Sequence, residues 1–215
     1  MSAAKSTPEP DLLARVVVRL IEPHEREEFD RRLTEDHYLH QPHVAGPTLR
    51  YVALIDDQPV AILLFSSAAL HIKARDQWIG WSPRQRARRL HLVVNNARFL
   101  VFPDRQKLPN LASRVLALAL RRLGDDWSQR HGHPVLLVES FVDESLFQGT
   151  CYKACGFEAV GASSGFGRAS RDFYVEHGRP KQLFLRALHR RGREFLRQAR
   201  LPEPLAAHEA VKAGP

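Results

Sequence analysis

Only two cysteines, Cys151 and Cys155, stand in the 215 residues, and that scarcity removes several answers at once. A structural zinc takes four ligands, and neither a second cysteine pair nor a His-x-x-x-His spacing lies near these two. They fall on one expected helical turn, where side chains four apart are badly placed for a disulfide. They read as small packing residues. The histidines are scattered, and His131 and His133 flank a glycine before Pro134, which reads as a turn rather than a ligand pair. No metal site is expected. No apolar run nears the ~20 residues of a membrane-spanning helix, and the N-terminus has no apolar signal core. Internal repeats and linker-like stretches are also missing. These absences lead to the expectation of one globular domain, with no membrane partner, in the reducing cytoplasm.

Charge is what the chain has in excess. Its 32 Lys and Arg outnumber 24 Asp and Glu, for a formal charge of +8 and an isoelectric point near 10.0. An anionic partner is expected, and nucleic acid is the usual one. The excess gathers in SPRQRARR (82–89) and in RPKQLFLRALHRRGREFLRQAR (179–200), whose one acid is Glu194. Arginines interleaved with Phe and Leu can bury an apolar face while presenting guanidinium groups to phosphates. Arg190, Arg191 and Arg193 are the candidates for that contact. A solvated basic surface is the alternative.

Along the chain, residues 1–14 are small, polar and proline-bearing, and read as a disordered leader. Strand patterns follow at 15–22, 50–56, 59–70, 90–102, 134–142, 158–168 and 181–188, with a hairpin across Asp56-Asp57-Gln58. Helical patterns occupy 25–39, with Phe29 and Leu33 on the apolar stripe, and 110–132. Residues 72–89 read as loop and then short helix. One domain is expected over 15–190, with 191–215 a basic helical or flexible tail.

This order of elements, β–α–β–β–β–α–β–α–β, and the segment TCYKACGFEAVG (150–161) resemble the GCN5-related N-acetyltransferase superfamily. The expected fold is therefore α/β with a mixed central sheet, splayed middle strands and helices on both faces. Gly156 supplies the left-handed residue that stops the short helix, and Phe157 plugs the core beneath it. The resemblance implies that Tyr152 faces the cleft between the central strands as general acid for a thiolate leaving group. A core tyrosine satisfied by the backbone is the other reading. A longer string, with ARDQWIGW, LHLVVNNARFLVFP, LPNLASRVLALALRRL, ESFVD and GTCYKA, resembles the Druantia anti-phage protein DruA family over about residues 30–165. That resemblance implies a setting in phage defence or beside transposases, with a defence-system or transposase protein as partner. It implies no reaction.

The acetyltransferase resemblance places a glycine-rich loop before the long helix, so that backbone N–H groups reach the donor pyrophosphate. Here Leu108, Pro109 and Asn110 stand there, and Pro109 has no N–H to give. Asn110 is instead expected to cap the helix with its side chain. Arg105, Lys107, Asn110 and Ser113 remain the cofactor candidates, and acyl-CoA stays open as the donor. Asn95 and Asn96 stand in a strand that should be apolar. The resemblance puts a β-bulge at that position, where their amides would meet a ligand; a lock between Asn95 and Glu139 or Ser140 is the alternative. Glu139 faces the same gap and is the candidate general base, with partial burial raising its pKa; Asp143 is the reserve. Arg75, Asp76, Trp78 and Trp81 could clamp a planar group, or form an internal pair under two core tryptophans. His37 and Tyr38, in a loop resembling the one that closes the acceptor side, and Arg98 complete the substrate candidates. Two classes of function follow: a transferase acting on an anionic or nucleic-acid acceptor, and a nucleic-acid-binding protein that keeps the fold without donor binding.

Overall fold

The computed structural model describes residues 9–163, 166–168, 174–176 and 180–210. The first eight residues of the expected leader, the last five of the expected tail and the part of the 158–168 strand at 164–165 lie outside the described residues. In chain order the elements are α1 (Glu9–Ala14), β1 (Val16–Leu20), α2 (Arg26–Glu35), β2 (Thr48–Ile55), β3 (Gln58–Ser67), α3 (Lys73–Ile79), α4 (Pro83–Arg89), β4 (Val93–Val101), α5 (Leu111–His131), β5 (Leu137–Val142), α6 (Thr150–Ala154), β6 (Glu158–Ala162), β7 (Phe166–Arg168), β8 (Tyr174–Glu176), β9 (Gln182–Ala187) and α7 (Gly192–Arg197).

Seven strands form one sheet in the order β1-β2-β3-β4-β5-β9-β6, and β7 pairs with β8 apart from it. Asp56 and Asp57, both with positive φ, make the tight turn that lets β2 fold back on β3. Every neighbouring pair is antiparallel except β4 and β5. Helices cover both faces. On the first, α5 buries Leu111, Val115, Leu116, Ala119, Leu120, Leu123 and Trp127, a stripe of helical period, against Tyr51, Leu63, Val94 and Val138. On the second, α2 sets Phe29 and Leu33 on Val52, Ile62 and Leu100. Beside it, Ile79, Trp81, Phe195 and Leu196 cover Val93, Leu137 and Leu185.

The middle of the sheet opens. The parallel ladder runs only from Val93–Leu137 through Val94–Val138 to Asn95–Glu139. Beyond Asn95, β4 stays on β3 while β5 continues along β9 to Val142. Within β4 the register shifts, with Asn96 opposite Phe65 and Arg98 opposite Leu64. Ala97 is therefore the extra residue of a bulge, and it turns the strand away from β5.

Both ends of the domain are packed further than the sequence suggests. Residues 9–14 form α1, with Leu12 and Leu13 against the main core, and the Leu13 carbonyl accepts from Arg114 Nε at 3.1 Å. Phe195, Leu196 and Leu201 are core residues, so the expected boundary at residue 190 cuts through a packed unit. The Phe and Leu interleaved with its arginines do bury an apolar face, and they bury it in the domain core. The segment 72–89, expected to hold one short helix, holds two, and α3 stops at Gly80 in the left-handed conformation, φ 78°.

Candidate functional site

Where β4 and β5 part, successive residues face opposite sides of the sheet, so each strand sends one polar group to either face. On the α5 side Asn96, Ser140 and Tyr152 meet. Tyr152 Oη donates to Asn96 Oδ1 at 2.8 Å, and Ser140 Oγ reaches across the gap to the Asn96 carbonyl at 3.3 Å. Asn96 Nδ2 donates back into the bulge, to the carbonyls of Arg98 at 3.2 Å and Leu64 at 3.5 Å. Phe157 packs edge-on to the Tyr152 ring and Phe184 stacks on it. Burial pushes the phenol well above its ordinary value, so it remains a donor. Asp143, the reserve acid, is buried, and its Oδ1 accepts from the Ser145 N–H and hydroxyl.

On the second face Glu139 is wholly enclosed, and both of its oxygens are engaged. Oε1 accepts from the Ala69 N–H at 2.8 Å, and Oε2 from Arg75 Nη1 at 2.9 Å. Arg75 is equally buried and also donates to the Ala69 carbonyl at 2.6 Å and to Asp76 Oδ1 at 3.1 Å. Asp76 in turn accepts from Trp81 Nε1 at 3.0 Å and from Arg86 at 2.8 Å. Burial raises the Glu139 pKa while Arg75 pulls against it. Asn95 lies opposite Glu139 in the ladder, and its Oδ1 is buried with no hydrogen-bond partner among the described residues.

These contacts correct several expectations. Glu139 is buried from solvent with both oxygens already hydrogen-bonded, one of them to Arg75, so the role of general base does not fit it. Arg75, Asp76 and Trp81 bind one another and Glu139 rather than forming a clamp open to a ligand. Trp78 donates to Glu158 at 3.1 Å and lies under Arg193. The strand-to-strand lock is made by Ser140 and Asn96, not by Asn95. The sequence named Ser140 as one partner in such a lock but set it against Asn95; its place beside Glu139 on β5 puts it on the opposite face, with Asn96.

His37, Tyr38 and Arg98 do come together, above the bulge. His37 is buried, and its Nδ1 accepts from the Leu39 N–H at 3.2 Å. Burial, aided by Arg98 and Lys181, lowers its pKa to about 4. Tyr38 carries Phe147 against its ring and Lys181 over its face. Arg98 ties the loop down by donating to the carbonyl of Gln41 at 2.8 Å.

The donor-side candidates stand elsewhere, at the start of α5. Arg105 and Lys107 are exposed, and Arg105 pairs with Asp104 at 3.0 Å. Asn110 occupies the position before the helix in a left-handed conformation, φ 58°, not the extended one in which a side-chain cap forms. The Ser113 carbonyl accepts from the Cys155 thiol at 3.3 Å.

The two basic segments of the sequence are neighbours in space. Arg89, buried at the end of α4, donates to the carbonyls of Leu196 at 3.0 Å and Gln198 at 2.7 Å, and to Glu209 at 2.7 Å. Gln85 adds bonds to the carbonyls of Arg197 and Gln198. Arg190, Arg191 and Arg193 are exposed; Arg191 pairs with Glu194, and Arg193 covers Trp78.

A family model for the Druantia protein DruA matches residues 2–182. The chain belongs to the DruA family. No curated protein matches it. Among solved structures it is similar to the spermidine N-acetyltransferase of Vibrio cholerae in complex with CoA and spermine. That match has a TM-score of 0.53 and 10% identity, covering 81% of this chain and 96% of the other. The aminoglycoside acetyltransferase AAC(6')-Ib in complex with coenzyme A and kanamycin has a TM-score of 0.52 and 13% identity, covering 83% and 97%. This DruA chain therefore carries the acetyltransferase-like fold, with its mixed sheet and parted central strands. No helix among the described residues is long and apolar enough to cross a membrane.

The donor pyrophosphate that the sequence resemblance puts at the start of α5 does not fit the residues found there. The Leu108 N–H donates to the Arg105 carbonyl at 3.0 Å and the Leu111 N–H to Leu108 at 3.4 Å, while Pro109 has none. These two amides close turns instead of opening onto an anion.

Proposed function

We propose that this DruA protein is a nucleic-acid-binding component of an anti-phage defence system, and that it uses the acetyltransferase-like fold as a scaffold without transferring an acyl group. One observation carries the reading: the gap between β4 and β5 is crossed by the protein's own hydrogen bonds, Ser140 to the Asn96 carbonyl and Tyr152 to Asn96 Oδ1. A ligand threaded there would have to break both, and the carboxylate beside the gap is already neutralised by Arg75. The excess of +8 charge supplies the attraction to a phosphate backbone.

A second reading, a transferase acting on an anionic acceptor, draws on Asn95 Oδ1, an orphaned acceptor at the same gap. The two readings separate in a thermal-shift titration of the purified protein with acetyl-CoA and, separately, with duplex DNA. A ligand at a hundred times its Kd stabilises the fold by ~2.7 kcal/mol. The scaffold reading expects a shift with DNA and none with millimolar acetyl-CoA. Acetyl-CoA stabilisation, or an acetyl group found on an added nucleic acid by mass spectrometry, would overturn it.

A further inference from the structure

We infer that α4 and the end of α7 make one composite docking face for the phosphate backbone of a nucleic-acid duplex, centred on Arg84, Arg88, Arg197 and Arg200. The inference rests on the nucleic-acid reading above and adds to it the place and the manner of contact.

Segments separated by more than a hundred residues build this face. Arg84 and Arg88 are exposed on α4, and Arg197 and Arg200 on α7 and just beyond it. Between them lies the joint at which Arg89 and Gln85 hold the carbonyls of residues 196–198. Arg84 and Arg88, one helical turn apart, stand ~6 Å from each other along the axis. That spans about two steps of a strand carrying a charge every ~3.4 Å. Arg88 meets Glu209 at 2.9 Å and keeps half its side chain exposed, so it is oriented without being withdrawn from solvent.

The residues between these arginines decide the class of partner. The exposed ones are small: Pro83, Ala87 and Ala199. The large apolar ones, Phe195, Leu196 and Leu201, are buried in the core. The face offers no exposed aromatic ring on which an unpaired base could stack, and no apolar side chain to enter a lipid surface. Four guanidinium forks fixed on packed elements suit phosphate oxygens read without regard to sequence.

The test is fluorescence anisotropy of a labelled random-sequence duplex against salt, from about 50 to 200 mM. The variants are Arg84→Ala/Arg88→Ala/Arg197→Ala and, on the opposite face of the sheet, Arg121→Ala/Arg130→Ala. The first should weaken binding at least tenfold and reduce the salt slope by up to ~3, since each phosphate contact contributes about 0.9. The second should leave both unchanged. An unaltered slope in the first variant, with binding intact, overturns this face and leaves the nucleic-acid reading standing. Absence of duplex binding by the unmodified protein at low salt overturns both. Binding to anionic phosphatidylserine vesicles in place of duplex also overturns the inference.

Discussion

Removing the Glu139 carboxylate leaves the buried Arg75 guanidinium with Asp76 alone as counter-charge, and Asp76 is shared with Trp81 and Arg86. Breaking one side of a buried pair costs about 3–5 kcal/mol, whereas replacing both partners with apolar groups is often near neutral. Glu139→Gln is thus expected to lower stability by that amount in urea unfolding. The double variant Arg75→Met/Glu139→Leu should recover most of it. Normal stability in Glu139→Gln would mean that the carboxylate is free, as a general base requires. His37 gives the residue scale a pH dependence. Its folded pKa of about 4 lies below the ordinary 6.5, so between those values the unfolded chain binds a proton that the fold excludes. Its contribution is complete above pH 6.5 and is lost progressively as pH falls towards 4, by roughly 3 kcal/mol. His37→Gln should flatten the stability profile over that window, and an unchanged slope would show the imidazole protonating freely in the native state. The sequence placed Glu139 at the central gap and His37 in a loop on the acceptor side, yet it could not give their protonation chemistry, since that depends on a partner 64 residues away or on a loop fold.

At the scale of elements, periodicity carried most of the information. The hairpin of β2 and β3 was legible as two apolar runs across a turn, β3 being buried on both faces, and α5 was legible from an apolar stripe of helical period that buries one face. The opening beside Asn95 was legible too, because two adjacent amides do not suit a regular central strand; the structure resolves it as a bulge at Ala97 that turns β4 away. The residues at the opening were named from the sequence, but the bonds by which they close it were not. Asn96, Ser140 and Tyr152 meet across three elements, and no spacing along one chain segment encodes that meeting. The segment 72–89 misled for a different reason. Arg75 makes the internal pair with Asp76 that was one of its two readings and adds Glu139. The basic run 82–89, however, suggested phosphate or solvent, while Arg89 is buried because its guanidinium is spent on backbone carbonyls. Gly149 shows the same dependence on a distant partner. A Cβ there would stand 2.5 Å from the Phe184 ring that stacks on Tyr152, so the turn into α6 needs glycine for closeness as well as for its φ of 67°.

For the molecule as a whole, the question is whether the basic C-terminal segment is an appendage or part of the domain. If an appendage, its removal would delete charge and leave the fold intact. The contacts point the other way. Phe195, Leu196 and Leu201 complete the core over Val93, Leu137 and Leu185. Gly192 lies so close to the Leu136 carbonyl that a Cβ would come within 2.6 Å. Arg89 would lose the carbonyls of Leu196 and Gln198 together with Glu209, the contacts that enclose its guanidinium. Fully burying each of the three apolar side chains is worth ~1.5–3 kcal/mol. Their sum rivals the ~5–15 kcal/mol that holds a typical domain together. A chain ending at residue 190 should therefore fail to unfold cooperatively in urea and should bind a hydrophobic dye before denaturant is added. A cooperative transition at the full-length midpoint would make the segment an appendage after all. The expected failure would mean that the basic charge of this segment cannot be trimmed without the core, because the same stretch that exposes its arginines closes the second face of the sheet.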